Sequence, residues 1–370
     1  MVLGASALED KALPGKEDKS LILENTKKLP QAGLDKILIR GTNWIGDAIM
    51  TLPAVASVRA AYPKAHLAIL TKPPVTDIYK LFSAANEIIA YESKFDNPLG
   101  VFRLAYGLRQ KKFDAAILLQ NAIEAAIIAG AAGIGVRAGY NSDGRGFLLT
   151  HPIRRTGEIL KVPQIDYYLE MVKALGCADI DRAMHLETHI SPATAREIIK
   201  QYVPGNGKRV IGIAPGATYG PAKRWMPERF AAAGDRLSAE LDARVVLFGG
   251  KSDWETAEQV RKNARADMIN IAGKTTLQDA VYCISQCRLF ISNDSGLMHV
   301  AGALNIPTVA IFGSTNPVTT SPAGEKTFLV RKPLSCSPCL KKTCPTDFRC
   351  MTLITVDDVV AAANTLLRKS

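Results

Sequence analysis

The chain is poor in the features that mark several protein classes. Aromatic residues make up 6% of it and histidine occurs five times. No stretch interleaves basic with aromatic residues, so the surface on which a single-strand nucleic-acid binder stacks bases has no visible source. Long apolar runs are missing as well. The longest stretch without a charged residue, Ser295 to Gly324, holds His299, Asn305, Pro307, Asn316 and two further prolines. It is therefore not one apolar helix of about 20 residues crossing a bilayer. Near the start, Glu9, Asp10, Lys11 and Glu17 interrupt every apolar piece, which leaves no continuous core for a signal peptide. The expectation is a cytoplasmic protein. Seven cysteines among 370 residues do not read as a secreted disulfide framework.

What is present is ordinary globular material. The chain is 47% hydrophobic and 22% charged, and its length predicts two domains. Lys and Arg number 46 against 35 Asp and Glu, a formal +11. That excess favours an anionic partner: nucleic acid, a phosphorylated small molecule or an acidic membrane surface.

Residues 1–35 mix lysines with acids, prolines and glycines and lack a sustained apolar period, so they read as a flexible N-terminal extension. From Lys36 onward, strand-like and helix-like segments alternate. Strands are expected at 36–40, 66–71, 87–91, 114–119 and 136–140, then at 209–214, 244–248, 268–272, 288–292 and 307–312. Helices are expected at 53–62, 74–83, 98–111, 122–132 and 164–175, then at 192–202, 227–241, 253–264, 277–286, 295–304 and 356–368. This alternation implies an α/β fold of two doubly wound, Rossmann-like domains with parallel sheets, facing each other across a cleft. We place the first at 36–185, the second at 186–355 and a closing helix at 356–370. Ligands of such folds bind beyond the carboxyl ends of the strands.

The residues that follow strands therefore carry the candidates. After the first comes Gly41-Thr-Asn-Trp-Ile-Gly46-Asp47, where Asp47 suits either a helix cap or a general base. Pro215-Gly216-Ala-Thr218-Tyr219-Gly220-Pro221-Ala222-Lys223-Arg224-Trp225 suits a phosphate, with Thr218 and backbone N–H groups donating and Lys223 as a point charge. It lacks the GxxxxGK[ST] spacing of a P-loop, and its plainer reading is a solvated basic loop. Asn293-Asp294-Ser295-Gly296-Leu-Met-His299 runs straight into a helix whose first N–H groups offer an anion site. Asp294 and Ser295 alternatively cap that helix, and His299 alternatively sits at the core edge. Lys274 and Thr275 lie in a turn after one strand, and Glu255 in the loop after another, where a carboxylate suits sugar hydroxyls. Gly133-Ile-Gly135-Val-Arg-Ala138 matches a dinucleotide pattern but leads into a strand, the reverse of the required order.

The runs IRGTNWIGDAIMTLPAV, PGATYGPAKRW, AGKTTL and NDSGLMHVAGAL resemble those of the bacterial ADP-heptose–lipopolysaccharide heptosyltransferases, glycosyltransferase family nine. The GPAKRW loop, the NDSGLMHVA run and the cysteine-bearing tail are most similar to the heptosyltransferase II branch. The resemblance spans about residues 36–368. It implies the GT-B architecture, often with a last helix packed back on the first domain. It also implies inverting, metal-independent transfer of heptose from ADP-heptose to the heptosylated inner core of lipopolysaccharide. By resemblance Asp47 is the catalytic base and Lys223 contacts the donor phosphates. Thr218, Tyr219, Asp294, Ser295, Gly296 and His299 hold the diphosphate, with Lys274 in the same donor site. Thr275 falls toward adenine and Glu255 toward ribose. Acceptor contacts are expected from Asn43, Trp44 and Asn121, and from a basic face with Arg137, Arg145, Arg154 and Arg155. The charge also suits transient contact with the anionic inner face of the cytoplasmic membrane, and no nucleic-acid partner is expected.

Cys336, Cys339, Cys344 and Cys350 crowd one loop, a spacing that invites a structural metal. A locally stapled loop without metal is the preferred reading, and no cofactor is required. Competing functions are the same reaction on another acceptor (heptosyltransferase I or III), a nucleotide-sugar-modifying enzyme, and a non-catalytic binder of anions or nucleic acid.

Overall fold

A computed structural model describes residues 26–81, 85–95, 97–178, 182, 191–204 and 208–369. The chain forms two compact units, one running to Ala183 and the other from Met184 to Ser370. The boundary expected at 185–186 lies outside the described residues, as does the 1–25 part of the extension.

The first unit carries β1 (Lys36–Arg40), α1 (Ile45–Ala61), β2 (His66–Thr71), α2 (Thr76–Lys80), β3 (Glu87–Ala90), α3 (Pro98–Lys111), β4 (Ala115–Leu118), α4 (Ile123–Ala131), β5 (Val136–Tyr140), β6 (His151–Ile153) and α5 (Gln164–Ala174). The second carries α6 (Pro192–Tyr202), β7 (Arg209–Ala214), α7 (Pro227–Leu241), β8 (Ala243–Leu247), α8 (Trp254–Asn263), β9 (Ile269–Asn270), α9 (Leu277–Ser285), β10 (Cys287–Asn293), α10 (Gly296–Ala303), β11 (Thr308–Ile311), α11 (Pro317–Thr320), β12 (Thr327–Val330), α12 (Arg349–Thr352) and α13 (Val356–Arg368).

Each unit has one six-stranded sheet, in the orders β3-β2-β1-β4-β5-β6 and β12-β11-β10-β7-β8-β9. All pairings are parallel. Both orders reverse direction next to their first strand, at β1/β4 and at β7/β10, and a crevice for ligands opens at such a switch point. The central strands are buried on both faces, as in Ile37, Leu38 and Ile39 of β1 and Leu289, Phe290 and Ile291 of β10. That double burial is why they read as continuous apolar runs.

The structure departs from the sequence reading at several points. α1 begins at Ile45 and not near Pro53, which lies inside it. Proline there withholds one helical N–H, but deep burial of Ala48, Ile49, Met50, Leu52, Val55 and Val58 carries the helix through. Asp47 consequently stands in the first turn of α1 and not in a loop. Two edge strands, β6 and β12, were not anticipated; each has only three or four residues. Residues 26–35, expected to be flexible, are docked on the first unit. Leu29 and Leu34 are buried, the Leu29 N–H donates to Leu175 O at 2.9 Å, and the Tyr62 hydroxyl donates to Pro30 O at 3.0 Å.

α13 buries Val359, Val360, Ala362, Ala363 and Leu366 in the second unit's own core, with Trp225, Phe230 and Leu237. Thr355 and Asp358 cap its start reciprocally. No helix among the described residues is long and apolar enough to cross a membrane.

Candidate functional site

In the second unit, the loop after β7 is fastened at both ends by Asn293, the last residue of β10. Its amide donates to Pro215 O at 2.7 Å and its carbonyl accepts from the Trp225 N–H at 3.0 Å. Trp225 is fully buried, and its indole N–H donates to Ile354 O at 3.0 Å. With the loop so held, Lys223 Nζ lies 2.7 Å from Asp294 Oδ2, and their side chains are 12% and 4% exposed. The Thr315 hydroxyl donates to the same carboxylate oxygen at 2.6 Å.

Asp294 therefore does not cap α10. Ser295, the N-cap residue, makes no side-chain cap bond either, and its hydroxyl lies 3.0 Å from that of Ser292. Among the described residues no side chain caps the helix start at Gly296, the arrangement that favours an anion. One turn further in, His299 is buried and its Nδ1 has no hydrogen-bond partner among the described residues. Burial pushes its pKa down to about 4 against the attraction of Asp294, and Lys223 lowers it further. It is a neutral imidazole at pH 7.

Tyr219 stands over this group. Its ring is 4.9 Å from Lys223 Nζ and 5.9 Å from Lys342 Nζ, and its hydroxyl donates to Leu340 O at 2.7 Å. Lys342 O accepts from the Ala222 N–H at 3.0 Å. A Cβ on Gly220 would come within 2.4 Å of that same carbonyl oxygen, so glycine is needed for the loops to meet. Thr218 is exposed beside it.

The remaining donor candidates follow β8 and β9. Glu255 is exposed in the first turn of α8, Thr275 is half-buried, and Lys274 Nζ sits 4.9 Å from the Trp254 ring. The structure ties none of the three to Lys223 by a described bond. Asp253, in the same loop after β8, is buried, accepts from the Gly250 N–H at 3.0 Å, and packs so close to Gly216 that a Cβ there would lie 2.2 Å from its Oδ1.

In the first unit, Asn43, Trp44, Asp47 and Asn121 gather at the β1/β4 switch point. Trp44 is 59% exposed at the N-cap of α1, and Asp47 is half-buried three residues on. The charge of Asp47 reaches the fully buried Tyr168 hydroxyl, whose pKa is raised first by burial and then by that carboxylate. Asn121 Oδ1 accepts from the Tyr167 hydroxyl at 3.0 Å and the Ser142 hydroxyl at 3.2 Å. Arg40, missed from sequence, is buried at the end of β1 and donates to Asn43 Oδ1 at 3.1 Å; burial lowers its pKa to about 10.

Two of the arginines expected to meet the acceptor bond to backbone carbonyls. Arg145 is fully buried and donates to the carbonyls of Tyr140, Gln120, Ala122 and Leu118. Its guanidinium is taken up by these backbone carbonyls. Arg137 is half-buried and donates to Leu148 O at 2.7 Å and Ile134 O at 2.6 Å. Sequence could not separate these from exposed cations. Arg154 and Arg155 are exposed, with Arg155 lying 5.9 Å from the Tyr167 ring. Thr315, missed from sequence, had a usable signal, because it follows a strand expected at 307–312.

The four tail cysteines are free thiols, Cys336 exposed and Cys350 buried. Burial, then the charges of Cys344, Cys339 and Cys336, raise the Cys350 pKa. Their loop is held by Ser314 O, which accepts from the Leu340 N–H at 2.7 Å, and by Gly313 O, which accepts from the Ser337 hydroxyl at 2.6 Å. Among the described residues no group of three or more His, Cys, Asp or Glu is arranged to hold a metal ion.

Residues 101–348 match the family model of glycosyltransferase family 9 (heptosyltransferase). The chain is 30% identical to lipopolysaccharide heptosyltransferase 2 of Escherichia coli, over 80% of this chain and 88% of that one. It is 31% identical to lipooligosaccharide heptosyltransferase 2 of Haemophilus influenzae, with the same coverage of each. Among solved structures, E. coli ADP-heptose lps heptosyltransferase II superposes with a TM-score of 0.76 at 28% identity, covering 90% of this chain and 99% of that one. The two parallel Rossmann-like sheets are thus those of a GT-B glycosyltransferase.

Proposed function

The chain belongs to glycosyltransferase family 9, and from that premise we propose that it transfers heptose from ADP-heptose to the heptosylated inner core of lipopolysaccharide, with inversion and without a required metal. The observation that carries this reading is the buried Lys223 ammonium held 2.7 Å from Asp294 beside the uncapped start of α10. A cation and a row of free N–H groups at one point are what a departing diphosphate needs. The similarity to heptosyltransferases 2 supports the choice of acceptor.

In the proposed reaction an acceptor hydroxyl attacks the anomeric carbon as the bond to ADP breaks, in one displacement. Asp47, in the first turn of α1, takes the hydroxyl proton as general base. Lys223 and the α10 N-terminus stabilise the charge that collects on ADP. Lys342, aimed at the same tyrosine ring as Lys223, adds a second positive charge there. Neutral His299, buried one turn into α10, adds no charge to the site. Thr218, Tyr219 and Ser295 complete the diphosphate contacts, with Thr275 toward adenine and Glu255 toward ribose. Asn43, Trp44, Asn121 and Arg155 meet the acceptor. The protein works in the cytoplasm, peripheral to the inner face of the membrane that holds that acceptor.

The test is transfer from ADP-heptose to a purified mono-heptosylated core, with and without EDTA. Asp47→Asn is expected to lower kcat by about 100-fold or more while ADP affinity stays unchanged. Transfer only to the heptose-free core, or only to a later heptose, would replace the acceptor with that of heptosyltransferase I or III. Failure to bind ADP-heptose would sink the reading.

A further inference from the structure

Six large apolar side chains on one layer of the first unit are turned to solvent. On α3, Leu99, Phe102 and Tyr106 are 72%, 64% and 67% exposed, while Leu104, Ala105 and Leu108 on the opposite side enter the core. α4 lies against α3 and exposes Ile123 and Ile127; the turn at Arg145–Leu148 lies against α4 and exposes Phe147 to 80%. These six are nearly half of all large apolar side chains exposed among the described residues. Isolated exposed apolar residues need no explanation, but a cluster on adjoining elements marks a surface that meets something.

The chemistry around the cluster says what. At about 100° per residue, Leu99, Phe102 and Tyr106 fall within roughly 60° of one another on the helix. Arg103 borders this stripe on one side and Arg109 on the other, both exposed, and exposed Lys112 follows the helix end. No acidic residue occurs anywhere in Pro98–Lys111. An apolar stripe between cations, with aromatic rings at its centre, suits the boundary between headgroups and acyl chains. A two-fold pairing of copies across the stripe would instead set arginines against arginines, which disfavours a second chain as occupant.

We propose that α3, with the exposed edge of α4 and Phe147, is the surface by which this protein lies on an anionic lipid bilayer. Phe102 and Tyr106 enter the interface while Arg103 and Arg109 contact lipid phosphates. This deepens the membrane contact proposed above and rests on it only for which membrane is met.

The experiment is co-sedimentation of the full chain with vesicles of phosphatidylethanolamine and phosphatidylglycerol, and with pure phosphatidylcholine, without donor or acceptor. Wild type is expected to bind the anionic vesicles and bind phosphatidylcholine weakly. Phe102→Ser with Tyr106→Ser, and separately Arg103→Ser with Arg109→Ser, are each expected to reduce binding about tenfold or more. Only the arginine-dependent part should weaken steeply with added salt. ADP affinity and melting temperature, measured alongside, verify that the variants fold. Two results would overturn the proposal: no vesicle binding by wild type, or undiminished binding by folded variants. A concentration-dependent dimer abolished by Phe102→Ser with Tyr106→Ser would overturn it too, assigning the face to a second copy. A wild type that transfers heptose to a lipid-free acceptor yet ignores vesicles loses only this inference. One that binds vesicles but not ADP-heptose loses only the reaction.

Discussion

At the scale of single residues, the second unit shows how one carboxylate organises a site. Asp294 receives Lys223 at 2.7 Å and Thr315 at 2.6 Å, so the ammonium is anchored without being neutralised by a mobile partner. His299 lies one turn into α10, and burial holds its pKa low against the attraction of Asp294. Its folded pKa is about 4 against an ordinary 6.5. Above pH 6.5 both folded and unfolded chains leave it neutral, and it exerts no pH-dependent effect. Between 6.5 and about 4 the unfolded chain takes up a proton that the folded chain refuses. Stability is expected to fall through that window by roughly 3 kcal/mol as the pH drops. His299→Gln removes that slope, which denaturant titrations at a series of pH values would measure; an unchanged slope would refute the burial argument. The residues of this site were legible in part. Lys223, Asp294 and His299 lie in segments that follow expected strands, whereas Arg145 and Arg40 look like any surface cation until the fold buries them.

Among the elements, the loops after β7 and β11 and the cysteine-bearing loop depend on one another. Gly220 lets the first of these approach Lys342 O, and Tyr219 holds Leu340 O. Gly220→Ala would force that carbonyl away, at a cost of about 1–3 kcal/mol for overpacking. The expected readout is a raised KM for ADP-heptose with the acceptor KM unchanged, together with a lower melting temperature. Equal effects on both KM values would argue against a role confined to the donor loops. The limits of α6 agree with the expected 192–202, where Ser191 caps the helix locally by accepting from the Thr194 N–H. The start of α1 does not agree with expectation, because Pro53 imitates a first-turn proline and only burial of the preceding turn reveals the helix to begin at Ile45.

For the whole molecule, the two sheets repeat one topology, and each places its candidates at its own switch point. The donor nucleotide is assigned to the second unit alone. Hydrogen exchange with ADP at about 100 times its dissociation constant, worth roughly 2.7 kcal/mol of stabilisation, should slow amides at 215–225 and 294–299. Amides at 41–47 should be unaffected, and protection there instead would reverse the assignment of the two units. The sequence by itself determined the alternation of strands and helices, because buried parallel strands must be apolar throughout and the helices between them must not. It also determined which loops to examine, since chain order places them at strand ends. Tertiary structure alone decided which charges are available. Burial and pairing depend on neighbours far along the chain: Lys223 meets Asp294, Arg145 caps the carbonyls of a sheet, and an acid-free helix turns its aromatic side outward.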